Sequence, residues 1–223
     1  MSRREAFSPG SLERRASWRY CVGSAAHADR NATNPAEGQA GLYGLIHKAI
    51  RDCVRDAHGE DAWQAIATRA NVDESVFLSM ESYPDETTYG LISAACEELE
   101  VETGTLLRAF GRFWVLHTAK VEYGPLLEFG GSDLESFLKN LDRMHEQVAI
   151  SFTNLQGPSF ELEHEADGSA LLHYRSTRNG LADFVTGLLD GLREHFSESL
   201  TVKHIEAKSG GADHDVFRLR IGS

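Results

Sequence analysis

The sequence predicts an α+β fold, in which a helical first part precedes a ββαββ block with a four-stranded antiparallel sheet. From Gly41 to Phe152, apolar residues recur three and four positions apart, which is the spacing of amphipathic helices. After Gly157-Pro158 the apolar residues alternate with polar ones, which is typical of strands. Helices that come first and strands that come afterwards favour an antiparallel sheet over a parallel α/β arrangement.

The helical part divides into several segments. The pairs Gly124-Pro125 and Gly130-Gly131 predict a loop between the last two of them. Ser132 and Glu135 have the spacing of a capping box and open the final long helix. The predicted helices cover approximately residues 45–58, 61–70, 72–80, 85–100, 103–116 and 133–152.

The ββαββ block is predicted from two hairpins that flank one amphipathic helix. The first hairpin turns at Ala166-Asp167-Gly168 and the second at Gly210-Gly211, which are turn sequences. The predicted strands cover residues 159–164, 170–176, 200–207 and 216–221, and the helix covers 181–196.

Residues 1–41 differ in composition from the rest of the chain. They are rich in Arg, Ser, Ala, Gly and Asn and lack a periodic apolar pattern, so we expect a disordered extension before a domain at 42–223. No apolar run has the length that a membrane span requires. We therefore expect a cytoplasmic protein, and we expect it to be a monomer.

The charge and the cysteines exclude some classes of function. The net charge is −12, and residues 1–40 contain six Arg and four acidic residues, which leaves −14 for the remainder. So acidic a domain disfavours nucleic-acid binding, which needs a basic face. Cys21, Cys53 and Cys96 form no C-x-x-C pattern, so a zinc site is not predicted.

The segment Tyr174-Arg175-Ser176-Thr177-Arg178 is a candidate anion-binding site. In an extended chain, Tyr174, Ser176 and Arg178 would point to one face. Two hydroxyl groups and a guanidinium can together bind a carboxylate or phosphate. The alternative is an edge strand with a solvated polar face, and spacing alone does not decide between the two.

His145 lies on the apolar stripe of the last long helix, in line with Leu138, Leu141 and Val148. A histidine there is either a buried neutral side chain or a ligand or catalytic group, and its position alone leaves both open. An apolar cavity that holds one inward histidine and an anion-binding group suits haem, which needs an axial ligand and partners for its two propionates.

The chain resembles the haem-nitric oxide/oxygen binding (H-NOX) family, which includes the haem domain of soluble guanylate cyclase and bacterial nitric oxide sensors. The segment 174–178 fits the Y-x-S-x-R signature of that family, and Leu141-Asp142-Arg143-Met144-His145 matches its proximal-histidine helix. Tyr43-Gly44-Leu45-Ile46, Phe110-Gly111-Arg112 and Gly157-Pro158-Ser159-Phe160 follow the family pattern in order. The resemblance covers approximately residues 42–221.

The resemblance implies a role for each matched residue. His145 would be the axial ligand of the iron of haem b (iron protoporphyrin IX), and Pro158 would press on the porphyrin. The propionates would be held by Tyr174, Ser176 and Arg178, and the distal side would be lined by Ile46, Trp114, Phe184 and Leu188.

The distal residues imply selectivity for nitric oxide. Family members that retain oxygen use a distal Tyr as a hydrogen-bond donor, and the matching residue here is Phe184, or Asp183 if the alignment shifts by one position. Neither side chain would help oxygen, whereas the indole N–H of Trp114 could act as a donor. An oxygen sensor is therefore the alternative within the family.

The implied output is a conformational change that is read in trans. No kinase, cyclase or phosphodiesterase domain is recognised in the 223 residues, so we expect a sensor without enzymatic activity of its own. The resemblance implies a histidine kinase, or a diguanylate cyclase or phosphodiesterase that acts on cyclic-di-GMP, as the partner. The alternatives outside the family are an enzyme that uses His145 as a general base and a haem-free interaction module.

Overall fold

The computed structural model describes residues 41–73, 75, 77–151 and 157–222 of the chain. The predicted N-terminal extension therefore lies outside the described residues, apart from Gly41, which is the first residue of the first strand. Within the described residues, helices precede a ββαββ block with a four-stranded antiparallel sheet, so the predicted α+β fold is confirmed.

The described residues of the helical part form a short two-stranded ribbon and six α-helices, with one π-helical segment between α3 and α4. Gly59 has φ 85° and interrupts α1, which agrees with the predicted helix end at His58-Gly59. The elements are β1 (Gly41–Tyr43), α1 (Gly44–Ala70), β2 (Ser82–Pro84), α2 (Asp85–Leu99), α3 (Thr103–Phe113), the π-helix (Trp114–Ala119), α4 (Lys120–Glu122), α5 (Gly124–Gly130) and α6 (Leu134–Ser151).

The start of the helical part differs from the prediction in two ways. The ribbon of β1 and β2 was not predicted, since strands of three residues are too short to show alternation. The predicted helix over residues 72–80 is wrong, because Phe77 to Met80 form coil and turn. The backbone N–H of Leu78 donates to the Tyr83 hydroxyl at 2.9 Å, which ties this turn to β2.

The connection before α6 also differs from the prediction. The predicted loop around Gly124-Pro125 contains the helix α5, and Pro125 lies in its first turn, where no backbone N–H is needed. The capping box of Ser132 and Glu135 is wrong. Instead, the Asp133 carboxylate accepts from the Ser136 backbone N–H at 2.7 Å, and Asp is as good a cap as Ser.

The sheet block follows the predicted order. β3 (Ser159–His164) and β4 (Ala170–Arg175) form the first hairpin, and β5 (Leu200–Glu206) and β6 (Asp215–Ile221) form the second. The sheet order is β3-β4-β6-β5, with every neighbouring pair antiparallel. The helix α7 (Ala182–Phe196) lies between the hairpins in the chain and packs its apolar side on the sheet.

The core consists of two hydrophobic clusters. One is formed by α1, α2 and α3, and the other by α6, α7 and the inner face of the sheet. Trp114 packs against both clusters, and Phe184 of α7 reaches into the helical one. Among the described helices, none combines the length and the apolar character that crossing a membrane requires.

The helices α3 and α7 join these clusters by an unusually close contact. A Cβ atom on Gly111 would overlap the Phe184 carbonyl oxygen, and a Cβ on Gly187 would overlap that of Arg108. Ion pairs lie along the same contact, since Arg108 pairs with Asp190 at 2.6 Å. The glycines therefore permit an approach of the two backbones that side chains would prevent.

His47 of α1 is a fully buried histidine. Its Nε2 hydrogen-bonds with the Thr88 hydroxyl at 2.7 Å, and its ring stacks on Phe77 with the centroids 4.6 Å apart. Its Nδ1 is buried without a hydrogen-bond partner among the described residues. Burial lowers the pKa of His47 to about 4, because a charged imidazole would lose its hydration.

Acidification is therefore expected to destabilise the fold through His47. Below its ordinary pKa of about 6.5, the unfolded chain binds a proton that the folded protein takes up only near pH 4. From pH 7 to 5, the free energy of unfolding should fall by about 2 kcal/mol through this group. Urea unfolding of wild type and His47→Gln at pH 7 and pH 5 measures this fall in the free energy of unfolding. His58→Gln, which changes an exposed histidine, is the control. Equal pH dependence in wild type and His47→Gln would refute this assignment.

Candidate functional site

His145 lies on α6 with its ring half-buried. Its Nδ1 is 2.8 Å from the Leu141 carbonyl oxygen. Because a carbonyl can only accept, Nδ1 carries the proton and the lone pair of the ring lies on Nε2. Burial lowers the pKa of His145, and the Leu141 carbonyl and Asp142 oppose this effect. The side chain is thus a neutral imidazole of the tautomer that ligates a metal through Nε2.

A row of aromatic rings connects His145 to the start of the predicted anion site. The His145 ring is 5.1 Å from that of Phe160, which is 5.3 Å from the ring of Tyr174. The Asp142 carboxylate accepts from the Phe160 backbone N–H at 2.9 Å and so attaches α6 to β3. Pro158, half-buried, lies just before β3.

The segment 174–178 is not the continuous strand that the sequence suggested, although the burial of its side chains follows the expected grouping. The strand β4 ends at Arg175, and the chain bends from Thr177 to Gly180, so strand alternation does not position Ser176 and Arg178. The expected grouping nevertheless holds, since Tyr174 and Arg178 are buried and Ser176 is half-buried. Thr177 is exposed, and Arg175 pairs with Glu161 at 3.1 Å.

Ser176 organises this segment. Its hydroxyl oxygen accepts from the Arg178 backbone N–H at 3.1 Å, and its side chain hydrogen-bonds with the Tyr174 hydroxyl. Burial raises the pKa of Tyr174, and nearby Asp215 acts in the same direction. Tyr174 is thus a neutral phenol, and the segment offers two hydroxyl donors beside a guanidinium.

Arg178 has a partner that sequence reasoning missed. Its Nε donates to both oxygens of Asp85 at 3.1 and 3.0 Å, and its Nη2 donates to the Gly41 carbonyl at 3.1 Å. Asp85 is the first residue of α2, so the sequence pattern marks it only as part of a helix start. These bonds connect the sheet block to the helical part.

The four residues assigned to the distal side all pack against the two hydrophobic clusters. Ile46 and Phe184 pack on the helical cluster, Leu188 packs on the sheet cluster, and Trp114 packs on both. The Phe184 ring is 5.3 Å from that of Phe110.

Asp183 points elsewhere. Its carboxylate packs against the first turn of α3, because a Cβ on Gly104 would be 2.5 Å from Oδ2 of Asp183. A carboxylate is favourable there, because it faces the positive end of the helix dipole. Of the two candidates for the distal position, Phe184 is therefore the one that packs into the apolar cluster.

The residues of this region fit haem better than they fit a metal ion alone. The part of the chain that the structure describes contains no group of three or more His, Cys, Asp and Glu that could hold a metal ion. A single neutral imidazole suits haem iron, because the porphyrin nitrogens supply the other ligands and the protein needs to provide only one. The apolar clusters, the hydroxyls and the guanidinium match its hydrophobic ring and its carboxylates.

Residues 43–204 of the chain match the Haem-NO-binding family. The chain is also similar to Caenorhabditis elegans soluble guanylate cyclase gcy-35, with 29% identity over 174 residues. That match covers 75% of this chain and 25% of the cyclase. Rat guanylate cyclase soluble subunit beta-2 is 31% identical over 118 residues, which are 50% of this chain and 17% of the cyclase. The chain thus spans about a quarter of the length of such cyclases or less.

Solved structures give the same fold. An H-NOX protein from Shewanella oneidensis in the Fe(II)NO state superposes with a TM-score of 0.73 and 20% identity. The match covers 82% of this chain and 100% of that protein. An Fe(II) unliganded H-NOX mutant from K. algicida gives a TM-score of 0.71 with 22% identity, covering 82% of this chain and 97% of that protein. At such identities, the comparison establishes the fold.

Proposed function

Because the chain belongs to the Haem-NO-binding family, whose domains bind haem and sense gases, we propose that it is a haem-based sensor of nitric oxide. The observation that carries the proposal is the state of His145, whose ring is neutral and has its Nδ1 proton engaged by the Leu141 carbonyl. This leaves the Nε2 lone pair to act as an axial ligand. The sequence contains no C-x-x-C-H attachment motif, which favours non-covalently held haem b.

The other residues have complementary roles in this proposal. Tyr174, Ser176 and Arg178 form a propionate clamp, the name used below for these three residues. Pro158 and the four distal residues provide the apolar walls. Bound haem would supply the iron at which a diatomic gas binds.

The apolar distal side supports nitric oxide rather than oxygen as the ligand. Bound oxygen is polarised and is retained longer when a hydrogen-bond donor faces it. Phe184 packs against Phe110 and has no such donor. Oxygen sensing is the second candidate, and the observation that favours it is Trp114, whose indole N–H belongs to a residue at the junction of the two clusters.

Absorbance spectra of the ferrous protein under nitric oxide and in air distinguish these candidates. We expect a spectral change with nitric oxide and no stable oxygen complex in wild type. In Phe184→Tyr, a donor hydroxyl should lengthen the lifetime of the oxygen complex about tenfold, the effect of one hydrogen bond of about 1.4 kcal/mol. The control is Phe196→Tyr, because Phe196 packs against the cluster of the sheet and not on the proposed distal side. This variant should leave the lifetime of the oxygen complex unchanged.

Two outcomes would contradict the proposal. A wild-type protein that forms a stable oxygen complex in air is an oxygen sensor. A colourless protein that takes up no haem on reconstitution would favour an enzyme with His145 as general base or a haem-free interaction module.

The proposed output is a structural change that a separate partner reads. The resemblance to bacterial nitric oxide sensors makes a histidine kinase or an enzyme of cyclic-di-GMP metabolism the partner that we propose. Exposed apolar side chains lie close to the helix that bears His145, since Phe129 of α5 and Ile150 of α6 are each 71% exposed. Movement of α6 would therefore alter an apolar surface that is accessible to a partner.

A further inference from the structure

A lysine from the second hairpin contacts the propionate clamp from the side of the sheet. Lys208 lies in the connection between β5 and β6, 32 residues after Ser176, and is half-buried. Its ammonium group donates to the Ser176 carbonyl at 2.6 Å. A charged donor at this distance makes a strong hydrogen bond. Lys208 therefore fixes the backbone of the residue that organises the clamp.

Ser176 is held at its hydroxyl and at its carbonyl. Its hydroxyl accepts from the Arg178 backbone N–H, and its carbonyl accepts from Lys208. The chain from Thr177 to Gly180 has no strand or helix hydrogen bonds to maintain its conformation. The direction of the Ser176 hydroxyl, and with it that of the Tyr174 hydroxyl, hence depends on the contact with Lys208.

The positive charge of Lys208 lies in the same region as a buried carboxylate, that of Asp215. Asp215 is only 7% exposed and is the cross-strand partner of Tyr174. Its carboxylate hydrogen-bonds with His204 Nε2 at 3.0 Å and accepts from the Lys208 backbone N–H at 3.1 Å. A buried carboxylate beside the clamp opposes the binding of another anion. The Lys208 ammonium adds a compensating positive charge on the same side.

We propose that Lys208 is a positioning residue for the propionate clamp: through the Ser176 carbonyl it holds the two hydroxyls in place, and it offsets the charge of Asp215. The inference rests on the proposed function, because it takes a haem carboxylate as the group that the clamp binds. It adds to the clamp a residue that the Y-x-S-x-R signature does not contain.

The rate at which haem leaves the ferric full-length chain for a haem-scavenging apomyoglobin tests this inference. Lys208→Met should lose haem about tenfold faster than wild type, as expected for one charge-assisted hydrogen bond. Lys208→Arg, which keeps the charge and a donor, should lose haem at a rate close to that of wild type. Lys203→Met is the matched control, since Lys203 is an exposed lysine of the same hairpin.

A second variant shows whether Lys208 acts through Ser176. In a Ser176→Ala background, Lys208→Met should speed haem loss less than it does in wild type, because one of the two hydroxyls that Lys208 positions is gone, whereas the charge of Asp215 remains. Thermal unfolding of the apoprotein checks the fold. The apoproteins of Lys208→Met and Lys203→Met should have similar midpoint temperatures of unfolding.

The outcomes separate this inference from the proposed function. Wild-type protein that takes up no haem would overturn both. Haem loss that is equal in Lys208→Met and Lys203→Met would overturn the role of Lys208 alone. Full additivity with Ser176→Ala, or an unstable apoprotein that Lys208→Arg does not restore, would show a merely structural role and would also overturn the inference.

Discussion

Replacing His145 by alanine is expected to weaken haem binding more than about 100-fold, because even the loss of an outer partner of a ligating histidine costs roughly 10- to 100-fold. The neutral ring, with its Nδ1 proton on the Leu141 carbonyl, leaves the Nε2 lone pair available to bind the iron. The clamp and the apolar walls would remain, so residual haem binding is expected to be weak. Haem titration followed by absorbance measures the change.

Two comparisons make the His145→Ala result specific. Added imidazole should restore haem binding and the response to nitric oxide, because it can occupy the space of the missing ring. His164→Ala, which removes an exposed histidine of β3, should bind haem as wild type does. Unchanged haem retention in His145→Ala would show that another residue is the ligand.

Replacing Gly187 by alanine is expected to destabilise the protein by about 3 kcal/mol or more, at the upper end of the range for overpacking. The added Cβ would overlap the carbonyl oxygen of Arg108, which belongs to the backbone of α3 and cannot rotate away as a side chain can. The helices would have to separate, which would weaken the ion pairs of Arg108 with Asp190 and of Arg112 with Glu194. The same separation would disturb Phe184, so haem binding should weaken too.

Gly90→Ala is the matched control for Gly187→Ala. Gly90 lies on the exposed side of α2, and a Cβ there would meet nothing within 4 Å. This substitution should leave stability unchanged or raise it by about 0.5–1 kcal/mol, as alanine is the better helix residue. Urea unfolding of both variants measures the difference. Similar stabilities for the two variants would contradict the close packing of α3 against α7.

The parts of the fold with a clear apolar period could be predicted from the sequence. The hairpin of β3 and β4 and the helix α7 were placed within one or two residues, because burial of one face imposes a strict period. The ribbon of β1 and β2 and the π-helical segment after Phe113 could not be predicted. Three residues are too few for a pattern, and a π-helix buries the same kind of residues as an α-helix.

The candidate site shows the same division. His145 was proposed from its apolar stripe, and segment 174–178 was proposed from its spacing together with the family resemblance. Asp85 and Lys208 were missed, although they contact Arg178 and Ser176 from 93 and 32 positions away. Each is an ordinary surface-type residue in its own segment, and only the packing of the elements reveals its partner.

The most direct test of the account is the iron–histidine stretching band in the resonance Raman spectrum of the ferrous protein. We predict a band in wild type that shifts with the iron isotope. We also predict that it is absent in His145→Gly and returns with imidazole, and then shifts when the imidazole is isotopically labelled. A band that persists unchanged in His145→Gly without imidazole would contradict the claim that His145 binds the haem iron.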